Sequence, residues 1–117
     1  MIINVNDSQV VGETSSTLWS TINQGPTEYL LIIKNSGVNT MNYRVQEYTG
    51  TAWSDLGSSG SDYYNTLSAG EVRQFVVESN YPQTQMIGNA SGGAFLEFSM
   101  TRFANRASGG SIPVLSL

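Results

Sequence analysis

The sequence predicts an all-β domain, an antiparallel β-sandwich of about seven to eight short strands. Two observations predict this class. Short runs of β-branched and aromatic residues recur along the chain, and clusters of Gly, Asn, Ser and Pro separate them. No stretch places apolar residues at the three- and four-residue spacing of an amphipathic helix. The chain of 117 residues has the length of one such domain.

The first half of the chain contains four of these runs. Residues 2–5 and 17–22 alternate between apolar and polar side chains, as half-buried strands do. Residues 29–33 are apolar throughout, which predicts a central strand covered on both faces or with one face hidden by a partner. The sequence Asn-Ser-Gly at 35–37 is typical of a turn, and it leads into the alternating run 41–46.

The second half repeats the pattern. Residues 52–56 are predicted to form a hairpin with the preceding run, through a turn at Thr49 and Gly50. The Ser- and Gly-rich stretch 57–62 can bury no side chain of any size, so we predict a mobile loop there. Three further runs follow at similar spacing, at residues 71–78, 85–87 and 94–103.

The alternation also predicts the core and the extent of the domain. The predicted core residues are Ile32, Tyr43, Val45, Phe75, Val77, Leu96 and Phe98. We expect the sandwich to span residues 1–106, including the N-terminal strands within 1–24. Residues 107–117 form a separate segment, a flexible Ser/Gly hinge followed by an apolar C-terminal arm. Pro113 removes one donor from any strand ladder, so the arm is expected either to fold back over its own domain or to dock on a neighbour.

Composition argues against an enzyme. The chain has no Cys and no His, which removes the thiolate nucleophile, the commonest general base and the commonest metal ligands. Its nine acidic residues are dispersed with no close pair for acid–base work. The glycine-rich stretches match no phosphate-binding spacing. We therefore expect no catalytic residue, no metal site and no cofactor.

Charge argues for a protein partner. The net charge is −4 and the five basic residues form no run, so nucleic acid is a poor partner. No segment has the apolar length of a membrane span or the pattern of a signal peptide, which predicts cytoplasmic synthesis and no membrane partner. Charged residues make up 12% of the chain, where about 25% is typical. A sparsely charged polar surface suits a protein packed against others, although it also fits an ordinary solvated β domain.

Aromatic side chains near turns complete the set of candidate contact residues. Trp53 and the adjacent pair Tyr63–Tyr64 are the best placed, because consecutive strand residues cannot both face one core. Such rings could fill a protein pocket, stack on a sugar, or simply cover the ends of the sandwich. The predicted partner-binding residues are Ile112, Pro113, Val114, Leu115, Leu117, Tyr63, Tyr64 and Trp53.

The order of turns and strands carries a family resemblance. Lys34-Asn35-Ser36-Gly37, the alternating run 41–45 and the turn 66–71 resemble Ig-like domains, within a stretch from Tyr29 to Phe103. More narrowly, the pattern is similar to short structural proteins of tailed-bacteriophage heads, including capsid decoration (cement) proteins.

The resemblance implies an Ig-like sandwich on the outer surface of a virion capsid, after synthesis in the host cytoplasm. It implies the major capsid protein and other copies of the chain as partners, with bridging of capsid subunits as the mechanism. Two other functions stay open. One is a head-fibre or tail component, and the other is a carbohydrate-binding or adhesion module that uses the turn aromatics.

Overall fold

A computed structural model describes residues 3–22 and 26–102 of the chain. Nine strands form in these residues, and every strand pairing is antiparallel. The strands are β1 (Ile3–Val11), β2 (Ser16–Ile22), β3 (Thr27–Asn35), β4 (Met41–Tyr48), β5 (Trp53–Asp55), β6 (Tyr64–Leu67), β7 (Val72–Ser79), β8 (Gln83–Asn89) and β9 (Ala94–Arg102). Within the same residues there is no helix with the length and apolar character needed to cross a membrane.

Two sheets divide the nine strands. Sheet A has the order β1-β9-β3-β7, and sheet B has the order β2-β8-β4-β5, with β6 also paired to β4. The antiparallel β-sandwich predicted from the sequence is therefore confirmed. The predicted hairpin is confirmed as well, since Tyr48 of β4 is the register partner of Trp53 in β5.

The connectivity differs from the Ig-like arrangement that the resemblance implied. In the first half and the last third of the chain, each strand crosses to the sheet opposite its predecessor, which gives the sandwich the strand order of a jelly roll. In Ig domains, by contrast, consecutive strands A and B pair within one sheet. Turn signals are common to both folds, whereas the strand order depends on pairings across the whole sequence, such as Ile3 with Arg102.

The core lies between the two sheets and confirms six of the seven predicted core residues. Ile32 is the exception: it is half-buried, on the outward side of β3, while its neighbours Leu31 and Ile33 are fully buried. Because all five residues from 29 to 33 are apolar, hydrophobicity did not show which alternate set faces inward. The largest fully buried side chains include Tyr29, Leu31, Ile33, Tyr43, Met41, Leu67, Met86 and Leu96.

The predicted turn after β3 also links the two sheets. Asn35 is fully buried, and its side-chain oxygen accepts a 2.9 Å hydrogen bond from the backbone N–H of Gly37. Its amide nitrogen donates to the carbonyl oxygens of Asn39 at 2.7 Å and of Leu67 in β6 at 2.9 Å. One side chain thus shapes the turn and fixes the end of sheet A against sheet B.

Candidate interaction surfaces

The outer face of sheet A carries apolar side chains at strand positions that alternate with the buried core residues. Val72 is 57% exposed and Val76 is 40% exposed, both on the edge strand β7. Leu30 and Ile32 of β3 are half-buried on the same face. Leu30 is the register partner of Val76, so these two side chains and Ile32 form one apolar cluster. Val72 lies further along β7, opposite Lys34 and separated from Val76 by Gln74. We call this surface, which also includes Val10 and Phe95, the outer A face.

A second apolar pair lies at the opposite edge of the same face. Val10 of β1 is 65% exposed, and it is the register partner of Phe95 in β9, which is 37% exposed. Between the two apolar groups, Lys34 and Glu97 are register partners on β3 and β9. The Ser36 hydroxyl donates a hydrogen bond to the Glu97 carboxylate, which holds that charge near the centre of the face.

This combination gives the outer A face the character of a protein-contact surface. Exposed Val and Phe side chains gain free energy when a neighbour covers them, at about 25 cal/mol per Å² of apolar area. A neighbour that covered the face would also have to complement the charges of Lys34, Glu78 and Glu97. The sequence signal for this face was the apolar run at 29–33, which predicted a strand covered on both faces or with one face hidden by a partner. The exposure of Val72 and Val76 was not predicted.

Tyr63, one of the predicted contact residues, is used within the fold. Its ring packs edge-on against Phe75 with centroids 5.6 Å apart, and its hydroxyl donates a 2.7 Å hydrogen bond to the backbone carbonyl of Val76. Burial raises the pKa of the Tyr63 phenol, while a backbone hydrogen bond from Glu78 acts in the opposite sense. Tyr63 therefore covers the core and the free edge of β7.

Tyr64 and Trp53 lie on the outer face of sheet B. The Arg44 guanidinium stands over the Tyr64 ring, 4.9 Å from its centroid. Trp53 is 37% exposed and packs against Tyr48 with ring centroids 5.2 Å apart. Because Tyr64 pairs with Arg44 and Trp53 pairs with Tyr48, four residues further along β4, the two rings do not form one aromatic platform.

A ladder of side-chain hydrogen bonds crosses the same face of sheet B. The Thr17 hydroxyl donates to Gln85 at 3.2 Å, the Gln85 amide donates to Gln46 at 2.9 Å, and the Gln46 amide donates to Asp55 at 2.9 Å. Arg44 also lies 3.6 Å from the Asp55 carboxylate. The ladder links four strands through polar groups that the sequence analysis did not single out, since their alignment depends on the strand register.

A partly exposed ionic network stabilises the start of β7. Arg73 donates to the Tyr43 hydroxyl at 3.0 Å and to the Thr66 carbonyl at 2.9 Å, and it pairs with Glu71 at 2.7 Å. Burial raises the pKa of Tyr43. The backbone N–H of Ser68, with a smaller contribution from Arg73, lowers the pKa of Glu71. These groups satisfy one another, so we assign them a structural role.

The remaining predicted contact residues, Ile112, Pro113, Val114, Leu115 and Leu117, lie outside the described residues, and their role stays a prediction. The separation of the sandwich from a hinge at residue 107 likewise stays a prediction. Among residues 3–22 and 26–102, no group of three or more His, Cys, Asp or Glu side chains is placed to hold a metal ion.

Comparison with known proteins identifies a shared fold. No protein-family model matches the chain, and no curated protein sequence matches it. One solved structure that it resembles is a chain from Bacillus endospore appendages, which form a family of disulfide-linked pili. The match has a TM-score of 0.62 at 16% identity and covers 91% of this chain and 88% of that one. At this identity the likeness shows a common β-sandwich fold.

Proposed function

We propose that this protein is a structural subunit that binds other protein surfaces in a non-covalent assembly. The observation that carries the proposal is the outer A face, where Val10, Val72, Val76 and Phe95 are all at least 37% exposed. Isolated exposed apolar residues are common on proteins, but several on one sheet face are typical of an interaction surface.

The shared fold supports a structural role, and the composition constrains how the subunits would be joined. The similar chain belongs to appendages described as disulfide-linked pili. This chain has no Cys, so a disulfide link between copies is chemically excluded. Contacts of the kind offered by the outer A face would have to hold the assembly together.

Within this class, we propose capsid decoration as the specific role, with the major capsid protein and further copies of the chain as partners. On a symmetric shell each copy would cover the junction of several capsid subunits, and many weak contacts would add up through multivalency. The low charge of the chain and its resemblance to phage head proteins support this role. An extracellular appendage is the alternative location within the same structural class.

The direct test of the structural role uses substitutions on the outer A face. Val76→Lys and Phe95→Lys place charges on that face without entering the core, so both variants should fold. Thr66→Lys, on the outer face of sheet B, is the matched control. Self-association and binding to purified particles are measured by analytical ultracentrifugation and co-sedimentation. We expect both to weaken in the first two variants and to persist in the control; equal behaviour of all three would overturn the proposal.

Mass spectrometry of purified particles tests the location. Decoration predicts a fixed copy number relative to the major capsid protein, whereas an appendage subunit would be absent from capsids and enriched in sheared filaments. Because the assay on the outer A face does not depend on which particle is used, it can support the structural role even if the capsid location is wrong.

A second candidate function rests on the outer face of sheet B. Its exposed Trp53 ring lies on the face that carries the partly exposed Gln46 amide, and an apolar ring beside polar groups is the combination that binds sugars. Binding to an array of neutral oligosaccharides, lost in Trp53→Ala and retained in Val76→Lys, would favour this carbohydrate-binding function over the structural one.

A further inference from the structure

The side of the sandwich where β1 faces β2 opens into a groove of about 280 Å³. Its walls include Leu18 and Trp19 of β2 and Phe98 and Met100 of β9. Leu18 and Trp19 are both buried, although they are consecutive, because the pairing of β2 with β8 shifts register between Thr17 and Trp19. The groove therefore leads from solvent to core side chains.

One residue that lines this groove has an unsatisfied polar atom. Trp19 is only 6% exposed, and its indole Nε1 has no hydrogen-bond partner among the described residues. A buried donor without an acceptor is unfavourable, and native proteins seldom leave one unpaired. The groove thus combines four apolar side chains and an unpaired indole N–H with the polar side chains of Asp7, Ser20 and Thr21. An apolar segment that brings a backbone carbonyl would complement the apolar part and the indole.

We propose that residues 112–117 of the same chain occupy this groove. In this arrangement an apolar side chain of the segment packs on Phe98 and Met100, and a backbone carbonyl accepts the hydrogen bond of Trp19 Nε1. The segment has no charged side chain and consists of Ile112, Pro113, Val114, Leu115, Ser116 and Leu117. Since Pro113 only removes a donor, it leaves the carbonyl groups available to the indole.

The point at which the described chain ends supports this occupant. β9 ends at Arg102, whose guanidinium donates to the carbonyl of Ile22 at 3.2 Å. Ile22 directly follows Thr21, which lines the groove. The chain therefore leaves the described part beside the groove, about 13 Å along the strand from Phe98. Residues 103–111 can span up to about 30 Å, which is ample for the return.

Attachment to the same chain favours residues 112–117 as the occupant of the groove over a second copy of the protein. A short linker holds its end at an effective concentration of about a millimolar, above the concentration at which most proteins work. The groove lies between the sheets, away from the outer A face, so its occupation leaves the proposed assembly surface free. The inference is thus independent of the proposed function.

A spin-label experiment on the full-length chain tests the contact. The chain has no Cys and two Trp residues, so Ser116→Cys provides a single site for a nitroxide, and Trp19 and Trp53 give two indole N–H signals in NMR spectra. We expect the label to broaden the Trp19 signal beyond detection and to leave the Trp53 signal intact. Equal intensities for both indoles, with and without the label, would overturn the proposal.

Two further measurements identify the source of the contact and its strength. The first is a mixture of two chains, one with the nitroxide at natural isotope abundance and one enriched in ¹⁵N without the nitroxide. The Trp19 signal of the ¹⁵N-enriched chain should persist, and its loss would show that a second copy fills the groove. In the full-length variant Leu115→Ser with Leu117→Ser, the Trp19 indole proton should exchange with solvent about tenfold faster or more. Ser108→Ala in the hinge is the matched control and should leave the exchange rate unchanged.

Discussion

The Tyr63 hydroxyl donates a 2.7 Å hydrogen bond to the backbone carbonyl of Val76, on the edge of β7 that no other described strand occupies. Edge strands expose backbone groups that can pair with another chain, and proteins protect them by several devices. Here a phenol from the loop before β6 takes the place of a neighbouring strand. The partner contact expected of Tyr63 stays a prediction. In the described structure its hydroxyl occupies a backbone carbonyl that an added strand would use.

Replacing Tyr63 by Phe isolates this hydrogen bond, because the ring can stay against Phe75. We expect the free energy of unfolding to fall by about 0.5–1.5 kcal/mol. Tyr64→Phe is the control, since the Tyr64 hydroxyl makes no hydrogen bond within the described part of the chain. Urea unfolding of the two variants provides the comparison, and equal losses would contradict a specific role for the Tyr63 hydroxyl.

The two faces of β3 can be separated by neighbouring substitutions. Leu31 is fully buried, so Leu31→Ala should cost about 2–5 kcal/mol through lost burial and the cavity left behind. Ile32→Ala removes a half-exposed side chain from the outer A face and should cost about 1 kcal/mol. Thermal and urea unfolding measure both. A larger loss for Ile32→Ala than for Leu31→Ala would reverse the assignment of the faces.

Gly88 of β8 lies where no side chain fits. A Cβ atom there would stand 2.5 Å from the carbonyl oxygen of Asn42 and 2.9 Å from Cδ1 of Leu18. Gly88→Ala should therefore lower the free energy of unfolding by about 1–3 kcal/mol through overpacking.

Gly12→Ala is the matched control for Gly88→Ala, because a Cβ at residue 12 meets no atom within 4 Å and the backbone has no positive φ there. Calorimetry should show a lower melting temperature for Gly88→Ala alone. If Gly12→Ala lost as much, the packing argument at Gly88 would fail.

The Glu71 carboxylate makes stability depend on acid pH. Its pKa is lowered in the folded protein, chiefly by the backbone N–H of Ser68 and also by Arg73. A lowered pKa means that the charged form stabilises the fold above the ordinary value of 4.5, and that this contribution is lost as pH falls through the folded pKa. Glu71→Gln should therefore be less stable than wild type at pH 7, and the difference should shrink below pH 4.5.

Urea unfolding at several pH values measures this dependence. The difference between wild type and Glu71→Gln should also be smaller in an Arg73→Gln background, since the Arg73–Glu71 pair at 2.7 Å is then absent. A difference that stays constant from pH 7 to pH 3 would show that the carboxylate charge plays no part.

The strands that alternate cleanly were predictable from sequence, and those without alternation were not. Tyr43 and Val45 were predicted core residues and are buried, because a period of two in polarity identifies the core face directly. The polar edge strand β1 runs to Val11, well past the predicted end at residue 5, since backbone pairing with β9 compensates for its low β propensity.

The candidate site depended on information that the local sequence lacks. The four-residue strand β6 was missed because it is short and half polar. Its position on β4 separates Tyr63 from Tyr64, one toward the core and one onto the outer face of sheet B. Likewise, Val10 and Phe95 are distant in the chain, and only the β1–β9 register makes them neighbours. The chemical character of each side chain could be predicted from the sequence, whereas the pairing of strands distant in the chain could not.

The β1–β9 pairing sets the timing of folding. Every β1 ladder bond in the described structure is to β9, the last strand made, with Ile3 opposite Arg102. A ribosome must therefore deliver nearly the whole described chain before β1 has a partner. Folds dominated by such distant pairings reach the native state in milliseconds to seconds, far more slowly than helical bundles. During that interval β1 depends on its own polar residues, such as Asn6 and Asp7, to remain free of wrong partners.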